Sequence, residues 1–288
     1  MRRGLRPVLA AAILGLAALL LPADAVRAQA LNVTGAGDDL PIEVQADEGI
    51  EWQQDQQVFL ARGNARATRG ELTVHSDVLR AFYRKTEAGR TEIFRLEAVG
   101  KVRIVSTGET AYGDAAVYDV DKGIMVLSGK GVKLVTAEDT ITADQQLEYY
   151  DTKQMAVARG NALAVRADRK IRTDVLVAYL RKDATGKTKV SRVDAFDNVH
   201  IVTAQDNVWA DRGVYNVDSG IATLTGAVKL VRGENTLAGC SAEVNLNTGI
   251  SKLKSCEGQQ RGVSGLLQPK ETPGLKNKNQ GTRNPQTR

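Results

Sequence analysis

Residues 113–135 read GDAAVYDVDKGIMVLSGKGVKLV, and residues 210–231 read ADRGVYNVDSGIATLTGAVKLV. At an offset of 97, positions 112–129 match 209–226 with nine identities in eighteen, among them Asp114/Asp211, Tyr118/Tyr215, Gly123/Gly220 and Gly129/Gly226. Self-similarity over this distance marks a repeat architecture. Each copy holds two β-rich runs around a short turn, Asp121-Lys122-Gly123 in one and Asp218-Ser219-Gly220 in the other. Glycine supplies the positive φ that a tight turn requires, so each copy predicts an antiparallel hairpin followed by a new alternating strand.

Working outward, the same punctuation recurs seven times. Modules open near Asp47, Asp77, Asp114, Asp144, Asp174, Asp211 and Cys240, and close near Gly63, Gly100, Gly129, Gly160, Asp197, Gly226 and Cys256. The closing spacings of 37, 29, 31, 37, 29 and 30 repeat in threes. The long modules carry polar insertions, Lys85–Arg90 and Lys182–Lys187. An aromatic follows each opening Asp: Trp52, Phe82, Tyr118, Tyr149, Tyr179 and Tyr215. Proline is absent from Ile42 to Leu267, as strands require, and no sustained helical period follows Leu21. The reading is all-β, with repeat blocks over about 40–135 and 136–258.

The ends differ from this body. Arg2, Arg3 and Arg6 precede the apolar run Val8–Leu21, and Ala23-Asp24-Ala25 and Ala28-Gln29-Ala30 fit a small-residue cleavage pattern. Residues 1–30 therefore read as a secretory signal peptide; the run is too short for a membrane span. Residues 31–39 read as a flexible leader. Residues 259–288, basic and rich in Gly, Asn, Gln and Lys, read as a disordered tail. The chain's net charge of +5 belongs to these ends: residues 31–258 hold 29 basic and 32 acidic side chains, which excludes a nucleic-acid stripe as the source of the basic pI.

Export to an oxidising compartment makes Cys240–Cys256 a disulfide candidate, with two free thiols as the alternative. Asn247-Thr248-Gly249 reads as a hairpin turn at their midpoint and would bring the two nearly opposite.

The serial motifs Pro41-Ile42-Glu43-Val44-Gln45-Ala46-Asp47, Arg62-Gly63-Asn64-Ala65, Val117-Tyr118-Asp119-Val120 and Arg159-Gly160-Asn161-Ala162, behind a signal peptide, resemble the OstA-like (LptA) family of lipopolysaccharide transport proteins. The resemblance covers about residues 40–258. It implies a twisted, open β-jellyroll of stacked antiparallel strands. It also implies a periplasmic bridge of the Gram-negative envelope that shields lipid A acyl chains in an apolar groove. The partners it implies are lipopolysaccharide, an inner-membrane LptC-like component, an outer-membrane LptD-like translocon and further copies joined head to tail. By the same resemblance Ile42, Ile104, Tyr118 and Val120 line the groove, with Ile201, Tyr215 and Val217 as their counterparts. Ordinary core packing is the competing reading of each. Independently of the family, an unclosed stack leaves edge strands able to add a partner strand, at Ile42 and Val44 on one side and Ile250 and Leu253 on the other. This chain is longer than the family's compact members. A membrane-tethered LptC-like component and a scaffold that binds no lipid are the alternatives.

Enzyme chemistry finds no motif. His75 and His200 align with Arg172 and Arg103, an exchange that suggests exposed strand positions. One Asp per module lacks the clustered oxygens that Ca²⁺ requires, so no metal or other cofactor is expected. A β-solenoid polysaccharide lyase would need clustered carboxylates and parallel coils instead of hairpins.

Overall fold

Alternating Val, Thr, Ile and Leu with short Gly- or Asp-containing turns favours strands paired to their sequence neighbours. The computed structural model describes residues 41–267, apart from 88, 185–187, 246, 249 and 257–261. Residues 1–40 and 268–288, and with them the signal, leader and most of the tail, lie outside the described residues. The strands are β1 (Glu43–Gln45), β2 (Gly49–Gln53), β3 (Val58–Arg69), β4 (Leu72–Lys85), β5 (Thr91–Ser106) and β6 (Glu109–Asp119). Next come β7 (Ile124–Ser128), β8 (Val132–Val135), β9 (Asp139–Ala143), β10 (Gln146–Tyr150), β11 (Met155–Arg166) and β12 (Arg169–Lys182). The last are β13 (Thr188–Val202), β14 (Asn207–Asn216), β15 (Ile221–Arg232), β16 (Asn235–Asn245), β17 (Ile250–Lys254) and β18 (Ser264–Leu266). Every registered pairing is antiparallel, and the described residues contain no helix, as the all-β reading expects.

Each long strand shifts register partway. The shift falls at Gly63-Asn64 in β3, Gly100-Lys101 in β5, Gly160-Asn161 in β11, Asp197-Asn198 in β13 and Gly226-Ala227 in β15, always with two successive positive φ values. Such bulges bend a strand. The stack is thereby folded along one line of corners into two arms. One arm ends in wide turns such as 120–123 and 217–220, the other in tight turns such as 70–71 and 233–234. At the corner line the recurring Asp and Gly are opposite sides of one joint. A Cβ at Gly100 would overlap the Asp77 carboxylate, and one at Gly226 that of Asp211. The acids serve the backbone: Asp114 accepts the Lys130 N–H at 2.9 Å, and Asp174 accepts the Asn198 amide at 2.8 Å.

β18 falls within the stretch read as disordered tail. Thr236↔Leu266 and Ala238↔Ser264 pair it to the half of β16 that β17 leaves uncovered. The ordered body thus reaches past residue 258. β16 passes from β18 to β17 at Cys240, and Cys240 is bonded there to Cys256, with the Cα atoms 5.0 Å apart. The observed register, Ser241↔Lys254, sets the bridge one residue beyond the symmetric pairing that the Thr248 midpoint implies.

Candidate functional site

Directly opposed residues of a sheet share a face, so the register sorts every side chain to one of two faces. In the tight-turn arm one row runs Val44, Ala67, Val74, Ile104, Ala111, Leu134, Ile141 and Ala164, and continues through Ile171, Ile201, Val208, Leu230 and Leu237 to Gly265. No polar side chain interrupts it. In the wide-turn arm the matching row runs Trp52, Phe59, Ala81, Leu96, Tyr118, Met125, Tyr149 and Ala156, and later reaches Val193, Tyr215, Ala222 and Val244. At the corners between them Val102, Val132, Ala162 and Val199 are at most 1% exposed. Ile104 and Val208 of one arm and Tyr149 and Leu224 of the other belong to a single apolar cluster, so both rows face inward.

The sequence-nominated residues divide along these rows. Ile104 and Ile201 share the tight-turn row, Ile104 buried and Ile201 half-buried. Tyr118 and Tyr215 share the wide-turn row with Trp52 and Tyr149, and burial raises the phenol pKa of Tyr215. Val120 and Val217 stand in wide turns, their N–H groups donating to the carbonyls of Phe94 and Ser191 at 2.9 Å. Ile42 lies outside the strands, just before β1, and is exposed. The module aromatics do not all share one place. Phe82 and Tyr179 face outward, opposite Arg95 and Arg192, because each stands five residues after its Asp, one step of the alternation beyond Tyr118 and Tyr215, which stand four after theirs.

The ends combine the nominated Ile250 with residues that the sequence reading did not nominate for an edge. β1 and β2 take β3 as their registered partner, and β17 and β18 take β16. Ile50 and Trp52 at one end, and Ile250 and Leu266 at the other, are all more than half exposed. Leu253, nominated for the C-terminal edge, lies in β17 with its side chain packed against the core. Trp52 still reaches inward, its Nε1–H donating to the Tyr83 hydroxyl at 2.7 Å. Among the described residues β3 is the one strand registered against β2, and no local sequence signal states that. A polar corner cleft of about 440 Å³, lined by Asp47, His75, Asp77 and Lys101, contains none of the nominated groove residues.

The inner rim of the tight-turn arm is polar. Asp206, fully buried, accepts from Arg232 Nε at 2.6 Å and Nη2 at 2.9 Å. Asp139 accepts from Arg166 Nε at 2.6 Å. Glu109 lies on the same row, opposite Ser106, and its burial pushes the carboxyl up to about 8. The interior is therefore apolar along its length and charged at one lip.

This repeated, doubly armed stack is what a family comparison finds as well. The model of the family described as "LptA/(LptD N-terminal domain) LPS transport protein" matches twice, over residues 43–145 and 140–250. The chain belongs to this family of lipopolysaccharide transport proteins. It is a transport protein of this family, and not an enzyme. An uncharacterized protein of Rhizobium meliloti (strain 1021) is 26% identical over 168 residues, 55% of this chain and 89% of that protein. The crystal structure of LptH, the LptA homologous periplasmic component of the lipopolysaccharide transport device of Pseudomonas aeruginosa, is also similar. It shares 13% identity over 80% of this chain and 96% of that one, at a TM-score of 0.20.

Proposed function

We propose that the chain is a periplasmic carrier that holds the acyl chains of lipopolysaccharide along its two inward rows, with the phosphorylated head at the polar lip. The observation that carries this reading is the apolar row from Val44 to Gly265, unbroken across both repeat blocks. Each acyl CH₂ it takes from water contributes about 0.8 kcal/mol, so a single chain in partial contact is held. Tyr118 and Tyr215 add rings near the wide turns, and Ile104 and Ile201 line the opposite arm. Val120, Val217 and Ile42 stand at the openings.

In this reading residues 1–30 are removed on export, and the tandem matches form one long body. The exposed Ile50 and Trp52 at one end and Ile250 and Leu266 at the other mark the joints. There strands of an LptC-like inner-membrane component, an LptD-like translocon or a second copy would extend the ladder. Bridging then means a continuous apolar trough from one membrane to the other.

A photo-cross-linking residue at Tyr118 or Ile201 should capture lipopolysaccharide in cells, whereas one at the outward-facing Thr225 should not. Tyr118→Asp should lower capture at Ile201 several-fold with the β-sheet circular dichroism unchanged. Equal capture at inward and outward positions would place the lipid elsewhere and leave a scaffold.

A further inference from the structure

The outer face of the tight-turn arm carries a row for which the groove has no use. Arg66, His75, Arg103, Tyr112 and Lys133 lie side by side across β3, β4, β5, β6 and β8. Arg172, His200, Trp209 and Lys229 continue it across β12 to β15. The pattern is written twice: His75, Arg103 and Tyr112 correspond to Arg172, His200 and Trp209 at the offset of 97, and Lys133 to Lys229 after one extra residue. The exchange of His and Arg between the blocks thus keeps a positive or protonatable group at both positions.

The five Arg and Lys side chains are exposed, and among the described residues none makes an ion pair. Arg66 donates to Gln45 and Arg172 to Asn161, both neutral amides. The wide-turn arm is built otherwise. Its outward Arg80, Arg159 and Arg192 are matched to Glu97, Glu148 and Asp194. The neighbouring outward row of the tight-turn arm carries Glu43 at its β1 end, opposite Thr68 and accepting from the Gln45 amide, and from Thr68 through Val105, Val135, Val165 and Val231 to Thr236 it contains no carboxylate. Other acids stand on the corner line, where Asp77 meets Lys101 at 3.6 Å and Asp114 and Asp174 are held by corner amides. Trp209 is 38% and Tyr112 42% exposed. Trp209 is held flat, stacked on His200 at 4.7 Å with the Lys229 ammonium 5.6 Å from its ring centre. The pKa of His75 is lowered by its burial and then by Arg103 and Arg66.

Strands about 4.8 Å apart make this row about 48 Å long from β3 to β15. A small anion needs one pocket, whereas a line of cations and amphipathic rings on a Val/Thr surface matches an extended anionic interface. Aromatic rings settle at lipid headgroup level, and each Lys or Arg near an anionic leaflet contributes about 1 kcal/mol. The row runs along the axis on which the bridge would extend, so docking and bridging are separate states: we propose that, in a copy not joined into a bridge, the outer face of the tight-turn arm docks on a bilayer surface rich in anionic phospholipid.

Trp52→Phe leaves Trp209 as the single tryptophan of the exported full-length protein. Its emission should shift to the blue with equimolar phosphatidylglycerol–phosphatidylcholine vesicles, not with phosphatidylcholine alone, and the shift should fade with salt. The triple variant Arg103→Gln, Arg172→Gln, Lys229→Gln should co-sediment with the anionic vesicles about 100-fold more weakly. It leaves residues 1–30 intact and should still capture lipopolysaccharide at Ile201, which separates this face from the groove. Equal sedimentation of parent and triple variant would overturn the proposal. So would equal binding to neutral vesicles, or a soluble polyphosphate that shifts Trp209 while vesicles do not.

Discussion

At the inner lip of the tight-turn arm the two repeat blocks place different chemistry at equivalent positions. In the second block Asp206 is fully buried and held by Arg232. In the first, the equivalent Glu109 continues the ladder Thr110↔Val135 towards Thr136, and its carboxyl is displaced to about 8 by burial. The corners and the apolar character of the inward rows, by contrast, recur in both blocks, although Asp197 stands where the first block has Gly100 and Gly129 parts β7 from β8 where Gly226 bends the continuous β15. The repeat keeps what bends and fills the stack and leaves the lip free to differ. The second block's lip is a fixed ion pair, and the first block's lip is a group that titrates.

The largest break in this comparison should come from Arg232→Ala. It leaves a buried carboxylate without its main partner, a loss of about 3–5 kcal/mol by denaturant unfolding. Thr136→Ala, at the equivalent place, should cost under about 1 kcal/mol. Similar losses would mean that the pair is not what closes the second lip. Next is the corner. Gly226→Ala sets a side chain at φ +75° against the Asp211 carboxylate and should cost about 2–3 kcal/mol. Gly233→Ala, at φ +55° with open space around it, should cost about 1 kcal/mol. Indistinguishable melting temperatures for the two would deny the corners their role.

The smallest effect is the titration. A carboxyl whose folded pKa lies near 8, above its ordinary 4.5, contributes stability that is full below the lower value and lost as pH rises through the upper one. Glu109→Gln should therefore lose less stability than the parent between pH 5 and 8.5, by about 2 kcal/mol. Parallel pH profiles would show that Glu109 finds a counter-charge.

Much of this was legible in the chain. The Asp and Gly spacing located the corners, because only small residues or those tolerant of positive φ fit there, and alternation located the strands. What the alternation could not show is that each corner inserts a residue and exchanges inside for outside. Phe82 and Tyr179, five residues after their Asp, resemble Tyr118, four after its own, and oppose it in space. Ser264–Leu266 is too short to show a period, and it lies in a stretch of tail-like composition. Asp206 and Arg232 are 26 residues apart, and the basic row takes one residue from each strand. Neither becomes a pattern until the register is known.

The bond between Cys240 and Cys256 gives the stack a direction of wear. A ladder held by nearest neighbours comes apart from its ends. At the C-terminal end the last corner is stapled across a separation of 16 residues, a closure that adds about 3 kcal/mol. At the N-terminal end β1 and β2 hold to β3 by backbone bonds and a few side chains. Fraying therefore starts at Glu43 and travels toward the staple, so of the two ends proposed to accept a new strand the N-terminal one opens with least work.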